Sequence, residues 1–362
     1  MDALRAARPV TLAIYILCVF AGTFNGPLLM VGWTALGLAF ISWYVTPDRP
    51  KQDLRAWVLL GVIVLSHLAA IPGALWFGTG NWILTASAFY WLLPAIVVFL
   101  IADTKVFKWL VWIAAIHAGI ILFYSLWFIG DVYKPVSSGL TFNPNVAAGL
   151  LIAGVSLVFT TGRYRWILLP LMTAAVFSGS RGALLAVVII ILVSLITQTL
   201  TAQRFIWICA MIGLGVAVYS LVNHQYQIAG YTTFNKAIFG GIVDDINVRW
   251  TVPAWPDLFP HGIVEHPGLH NVPLRMAREA GIVAAAAWLI LSAWALTRCR
   301  YTPAWWLMVA ILAMSIVDHY TMRVHLGNLW VLAAGVLLVR PVDIKPTPSC
   351  DLVGEIPRLN SD

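Results

Sequence analysis

The sequence predicts an all-α, polytopic integral membrane protein with about twelve transmembrane helices. Hydrophobic residues make up 61% of the 362 residues, and charged residues make up only 10%. Apolar runs of roughly 20 residues, the length that a helix needs to cross the hydrocarbon core of a bilayer, recur along the chain. The runs are continuous, whereas the strands of a membrane β-barrel alternate apolar and polar positions, so the pattern favours a helical bundle.

Each predicted span is one of these apolar runs. The first nine follow one another closely, the tenth comes after the longest non-spanning stretch, and the last two follow it at short intervals. In chain order the spans cover residues 9–24, 28–45, 56–72, 82–101, 106–129, 144–161, 166–178, 181–200, 204–222, 272–297, 303–320 and 326–339.

The basic residues predict the orientation of these spans. With the N-terminus inside, fifteen of the 22 lysines and arginines fall on the inner side, as the positive-inside rule requires, and the C-terminus is also inside. The net charge of +7 then reflects membrane topology and calls for no nucleic-acid partner. The seven basic residues predicted on the outer side are Lys134, Arg181, Lys236, Arg249, Arg275, Arg278 and Arg323.

One membrane domain, residues 1–340, accounts for nearly the whole chain. Its longest non-spanning stretch, about residues 223–271, is predicted to be an outer loop. The polar, proline-containing tail, residues 341–362, is predicted to be disordered and cytoplasmic. The four cysteines are scattered in spans or on the inner side, which predicts neither a disulfide framework nor a thiolate metal site.

The stretch SGSRGALLA, residues 178–186, places Arg181 between two strongly apolar runs. The Gly-Ser turn predicts that a helix begins at Arg181, where free backbone N–H groups and the helix dipole favour an anion. Arginine can bind a phosphate group through two parallel hydrogen bonds. The alternative is an arginine that extends its side chain toward the outer head groups without a specific ligand.

A second polar element begins the tenth predicted span, at HNVPLRMAREAGI (residues 270–282). Asn271 is a good N-cap and Pro273 is favoured in the first turn, so a helix start is predicted here. His270 would lie at this helix N-terminus, which favours the neutral, proton-accepting imidazole. The alternative for His270 is a capping or interfacial residue.

The same helix is predicted to carry a charged pair. Arg275 and Glu279 are four residues apart and are expected to pair along one helical face, while Arg278 lies on a neighbouring face.

The outer loop supplies aromatic side chains at Trp250, Trp255 and Phe259. They are either interfacial anchors or stacking surfaces for a sugar or a lipid head group. A third polar cluster is predicted at the outer turn before the last span, where it either lines the same cavity or caps the turn: Asp318, His319, Arg323 and His325.

Four residues near the end of the outer loop have spacings that invite a metal-site interpretation: His261, Glu265, His266 and His270. A histidine pair four residues apart binds zinc only when both lie on one helix. Pro267 and Gly268 interrupt the last interval and no HExxH motif occurs, so neither a metal nor another cofactor is predicted.

Four motifs, in this order, resemble the bacterial O-antigen ligase and O-antigen polymerase superfamily of polytopic membrane glycan transferases. They are TFNPNVAAG (141–149), SGSRGALLA (178–186), NVRW (247–250) and HNVPLRMAREAGI (270–282). The resemblance extends over about residues 80–340.

The resemblance implies a fold similar to the GT-C class of membrane glycosyltransferases. Members take a glycan carried on undecaprenyl pyrophosphate at the periplasmic face of the bacterial inner membrane. They transfer its reducing end to an acceptor hydroxyl without a metal or a nucleotide sugar. Surrounding membrane lipids and a protein that sets chain length are further expected partners.

Matched motif positions assign expected roles. Arg181 and Arg249 are implied to bind the donor pyrophosphate, and His270 is implied to act on the acceptor hydroxyl as a base or an orienting group. The remaining candidate substrate-binding residues are Asn145, Asn271, Arg275, Arg278 and Glu279. Asn271 and Glu279 match motif positions whose role stays open.

An O-antigen polymerase is favoured over a ligase because the compact outer loop offers little surface for a lipid A–core acceptor. A polysaccharide flippase or transporter is the rival from another class, and it would carry ionisable residues deep inside several spans. A non-catalytic assembly subunit, in which Arg181, Arg249 and His270 are individually replaceable, is the third alternative.

Overall fold

The structure is a computed structural model that describes residues 2–21, 26–46, 52–77, 89–127, 140–141, 144–161, 164–178, 180–197, 210, 213, 271–316 and 324–339. Within those residues every regular element is helical, apart from a single isolated bridge between Gln52 and Val339. The all-α prediction is therefore confirmed for this part of the chain.

Twelve α-helices and one turn of 3₁₀-helix (Arg165–Ile167) make up the described part. The helices are α1 (Asp2–Ala21), α2 (Gly26–Tyr44), α3 (Leu54–Phe77), α4 (Phe89–Ile101), α5 (Val106–Trp127), α6 (Pro144–Thr161), α7 (Leu168–Phe177), α8 (Arg181–Ile196), α9 (Val272–Ala280), α10 (Ile282–Thr297), α11 (Pro303–Ser315) and α12 (Val324–Leu337).

Three of these helices are long and apolar enough to cross a membrane: Gly26–Tyr44, Leu54–Trp76 and Val106–Tyr124. Seven further apolar helices among the described residues have only 10–17 residues. Large apolar side chains such as Leu65 and Ile196 are exposed on the bundle surface, as expected of helices that face lipid. The helices are thus compatible with membrane insertion, while the number of spans stays a prediction.

One predicted span differs from the structure in an informative way. The predicted span 272–297 is not one helix, because Gly281 adopts φ 90° and ψ 161° and separates α9 from α10. Only glycine adopts that backbone conformation readily. Most of the predicted span 204–222 lies outside the described residues.

Contacts between helix ends define two ends of the bundle. At the first end, Arg8 pairs with Asp103 at 2.6 Å, and the Asp53 amide donates to the carbonyl of Leu338.

Aromatic residues make further contacts at this first end. The Trp112 ring contacts the Trp166 ring, and the Phe159 ring contacts the Trp306 ring. The Trp305 indole N–H donates to the Leu296 carbonyl. These contacts bring together the starts of α1, α3, α5, α7 and α11 and the ends of α4, α6, α10 and α12.

The opposite end is joined by different contacts. The Phe20 ring lies 5.5 Å from the His325 ring, Gly149 packs directly against Leu326, and the Asn271 side chain bonds to the Ile316 carbonyl. The end of α1, the starts of α6, α9 and α12 and the end of α11 therefore lie together. We call this the motif end, because the predicted motifs start several of its helices.

The first end is rich in positive charge, and we call it the basic end. Of the eleven lysines and arginines in the described ranges, eight lie at the helix boundaries gathered there: Arg5, Arg8, Arg55, Lys105, Lys108, Arg165, Arg298 and Arg300. All eight are residues that the sequence assigned to one side of the membrane. Which side of a membrane this end faces stays a prediction.

Close packing of α4 and α12 at the basic end depends on Gly335. A Cβ atom at this position would lie 2.7 Å from the Phe99 carbonyl oxygen and 2.7 Å from the Ala102 Cβ. Phe99 belongs to the backbone of α4 and Ala102 directly follows its last residue, so neither neighbour can move aside cheaply.

We therefore expect Gly335→Ala to lower the free energy of unfolding by about 1–3 kcal/mol, because α12 must shift away from α4. The matched control is Gly37→Ala in α2, where nothing lies within 4 Å of the added Cβ. Thermal unfolding of the purified protein in detergent micelles measures both variants. A midpoint for Gly335→Ala equal to that of Gly37→Ala would contradict the packing.

Candidate functional site

The motif-bearing helices are joined to one another through α11. This helix is buried along almost its whole length and packs against α6, α8 and α12. Its end also accepts the hydrogen bond from Asn271 that fixes the start of α9. The structure therefore connects the TFNPN, SGSRG and HN elements to a single central helix.

The SGSRG turn is held by its own serines. The Ser178 hydroxyl donates to the Ala175 carbonyl at 2.7 Å and accepts from the Ser180 amide at 3.3 Å. The Ser180 hydroxyl then accepts from the Ala183 amide at 3.3 Å, which makes it the N-cap of α8. The predicted helix start at Arg181 is confirmed.

This turn lies inside the bundle. Ser178 is 5% exposed and Ser180 is 2% exposed, and Gly182 and Ala183 are buried as well. The preceding helix α7 has ten residues and rises about 15 Å, roughly half of a 30 Å hydrocarbon core. The backbone of Arg181 therefore lies at an interior position of the bundle.

Asn271 holds the start of α9 with both ends of its amide. The side-chain oxygen accepts from the Leu274 amide at 3.2 Å, which is the predicted N-cap, and the side-chain nitrogen donates to the Ile316 carbonyl at 3.0 Å. The second bond joins residues 45 positions apart. One buried amide thus caps α9 and attaches it to the end of α11.

Charge on α9 is divided between a buried pair and one further arginine. The Arg275 Nε donates to the Glu279 carboxylate at 2.6 Å, and both residues are buried, which confirms the predicted pair. Arg278 is half-buried, and its Nε makes no hydrogen bond to another described residue. Because Glu279 offsets the charge of Arg275, Arg278 is the arginine of α9 that can bind an anion.

Gly281 ends α9 after nine residues and lets α10 continue in a new direction. The α9 helix is strongly amphipathic, whereas α10 is apolar throughout. The break therefore separates a polar helix at the motif end from the apolar helix that follows it.

The other predicted site residues are placed only in part. Asn145 is the second residue of α6 and is half-buried at the motif end. His325 is buried near the start of α12. Arg249, His270, the loop aromatic residues and the side chain of Arg181 lie outside the described residues, as do Asp318, His319 and Arg323.

Comparison with protein-family models, curated proteins and solved structures finds no match. The geometry of the chain itself therefore carries the functional argument.

Two buried histidines escaped the sequence analysis. His67 in α3 donates from Nδ1 to the Ile63 carbonyl at 2.8 Å, which leaves Nε2 as an acceptor with no hydrogen bond in the described part of the chain. His117 in α5 instead accepts at Nδ1 from the Leu140 amide at 3.1 Å. An ionisable side chain inside an apolar run was the available signal, and averaging the hydropathy of each run hid it.

Among the described residues no three potential metal ligands come together. The four loop residues that were considered as metal ligands lie outside those ranges. What the described geometry provides is a buried helix start at Arg181 and a second cationic helix, α9, both joined to α11. This arrangement can stabilise an anionic group.

We expect Glu279→Gln to lower the free energy of unfolding by about 3–5 kcal/mol, because it leaves Arg275 charged and buried without its partner. The double replacement Arg275→Met with Glu279→Leu removes both charges and should cost clearly less. Thermal unfolding in detergent micelles compares the two variants. If the double variant is as unstable as Glu279→Gln, the unpaired charge of Arg275 is not the cause of the lost stability.

Proposed function

We propose that the chain is a membrane glycan transferase of GT-C-like architecture with about twelve spans. It transfers a glycan from undecaprenyl pyrophosphate to an acceptor sugar hydroxyl, most simply as an O-antigen polymerase. The lipid A–core acceptor of an O-antigen ligase is the alternative within the same class.

The buried start of α8 is the observation that carries this proposal. A guanidinium group that begins inside an apolar bundle is costly unless an anion accompanies it. The hydroxyls of Ser178 and Ser180 make hydrogen bonds within the turn itself. A lipid-linked pyrophosphate enters from the bilayer and supplies the required negative charge.

The proposed chemistry follows from the leaving group. The acceptor oxygen attacks the anomeric carbon of the donor glycan, the bond from that carbon to the pyrophosphate oxygen breaks, and undecaprenyl pyrophosphate departs. Arg181 and Arg249 stabilise the negative charge that develops on the pyrophosphate. His270 takes the proton of the acceptor hydroxyl or orients that hydroxyl for attack.

Sidedness follows from the charge distribution. The basic end, with eight described lysines and arginines, faces the cytoplasm under the positive-inside rule, and the motif end faces the periplasm. Both termini are then cytoplasmic in the bacterial inner membrane. The donor reaches the motif end after its transport across the membrane.

A proton-coupled transporter of lipid-linked glycans is the second candidate, and the buried histidines favour it. His67 and His117 lie in two of the helices long enough to span a membrane. Titratable groups at such positions are typical of proton pathways. The transferase is preferred because the helices that carry the SGSRG and HN elements are joined through the single helix α11.

The test begins with deletion of the gene in its host bacterium and analysis of lipopolysaccharide on gels. Loss of a polymerase leaves single repeats on the core, and loss of a ligase leaves bare core with accumulated lipid-linked polymer. Loss of a transporter leaves bare core without that polymer.

Complementation then tests the residues. We expect Arg181→Ala, Arg249→Ala and His270→Ala each to lower glycan transfer by about 100-fold or more at unchanged protein level. Arg300→Ala, an exposed arginine at the basic end, is the matched control and should restore the wild-type pattern. If all three motif variants restore it too, the chain is not the catalyst.

A further inference from the structure

A groove at the basic end lies far from the motif end. It follows the seam where α3 packs against α10, has a volume of about 460 Å³ and is lined by Arg55, Val58, Leu59, Ile290 and Trp294. The groove is open to the outside of the bundle and mostly apolar.

The walls of the groove continue apolar faces that no other described helix covers. Val58 is 59% exposed and Ile290 is 55% exposed. Further along the same two helices, Leu65 and Val283 are also exposed. On a helix that spans a bilayer, faces of this kind contact acyl chains.

Two arginines lie where the groove reaches the basic end of the bundle. Arg55 lies in the first turn of α3, and the Arg298 guanidinium lies 5.7 Å from the centre of the Trp294 ring, over the wall of the groove. Both residues are exposed. Arg55 lies at the start of α3 and Arg298 directly follows α10, and these two helix ends belong to the basic end. At the ends of helices that span a bilayer, such guanidinium groups lie near the level of the phospholipid phosphates.

The local charge balance also favours an anion. Among the described residues next to Arg55 and Arg298 in the chain there is one carboxylate, that of Asp53. One oxygen of this carboxylate accepts from the Arg55 amide at 2.9 Å at the start of α3. Two guanidinium groups against one described carboxylate leave the mouth of the groove positive.

We propose that this groove is a binding site for an anionic phospholipid, with an acyl chain along Val58, Leu59 and Ile290 and the phosphate between Arg55 and Arg298. Basic pockets between membrane helices on the cytoplasmic side commonly bind anionic head groups. Trp294 contributes a flat wall at the level of the glycerol backbone. The site is separate from the proposed glycan chemistry at the motif end and does not depend on it.

Delipidated full-length protein in detergent micelles provides the test. Dioleoylphosphatidylglycerol and dioleoylphosphatidylcholine are titrated separately, and native mass spectrometry with thermal unfolding follows binding. The wild-type protein should retain phosphatidylglycerol and unfold at a higher temperature with it, while phosphatidylcholine has a clearly smaller effect.

Variants then locate the site. The double replacement Arg55→Gln with Arg298→Gln should weaken phosphatidylglycerol binding about 25-fold, because each arginine contributes about fivefold. Arg300→Gln removes an exposed arginine at the same bundle end that does not line the groove, and it should leave binding nearly unchanged. Ile290→Trp fills the groove and should weaken binding while leaving both arginines in place.

Several results would overturn the proposal. These are equal binding of phosphatidylcholine, full phosphatidylglycerol binding by the double variant, or a loss in Arg300→Gln as large as in the double variant. The same thermal shift with inorganic phosphate would show that an anion alone is recognised. A dimer that carries no lipid would show that a second copy of the chain covers the groove.

Discussion

The double hydrogen bond of Asn271 is the interaction on which the motif end depends. Its oxygen caps α9 and its nitrogen holds the carbonyl of Ile316 at the end of α11. Because α11 also packs against α6, α8 and α12, the position of each motif-bearing helix is set relative to α9. Loss of a buried, fully bonded amide of this kind costs more than the hydrogen bonds themselves, since the orphaned carbonyl stays in an apolar environment.

Charge is admitted to this apolar bundle only where it is compensated. Arg8 and Arg275 each pair with a carboxylate at 2.6 Å. The Nε atom of Arg278 makes no hydrogen bond to another described residue. The backbone of Arg181 starts α8 at a buried turn. The proposed anionic donor is assigned to these two positions.

Local features of the structure were predictable from the sequence, and distant ones were not. The bounds of α6, the start of α8 at Arg181, the Asn271 cap and the Arg275–Glu279 pair depend on residues within four positions of one another. The bond from Asn271 to Ile316 depends on how helices pack, which no short motif encodes. The break at Gly281 was missed although a glycine between a polar and an apolar segment was the available signal.

The proposed transferase requires that the guanidinium group of Arg181 hold a diphosphate carried by a lipid. The most direct measurement is the affinity of the purified protein for undecaprenyl pyrophosphate, in micelles that contain excess phosphatidylglycerol to occupy general anionic-lipid sites. We expect saturable binding that Arg181→Gln weakens about tenfold or more, the loss expected for a charge-assisted hydrogen bond. Equal affinities of the wild-type and Arg181→Gln proteins would contradict it.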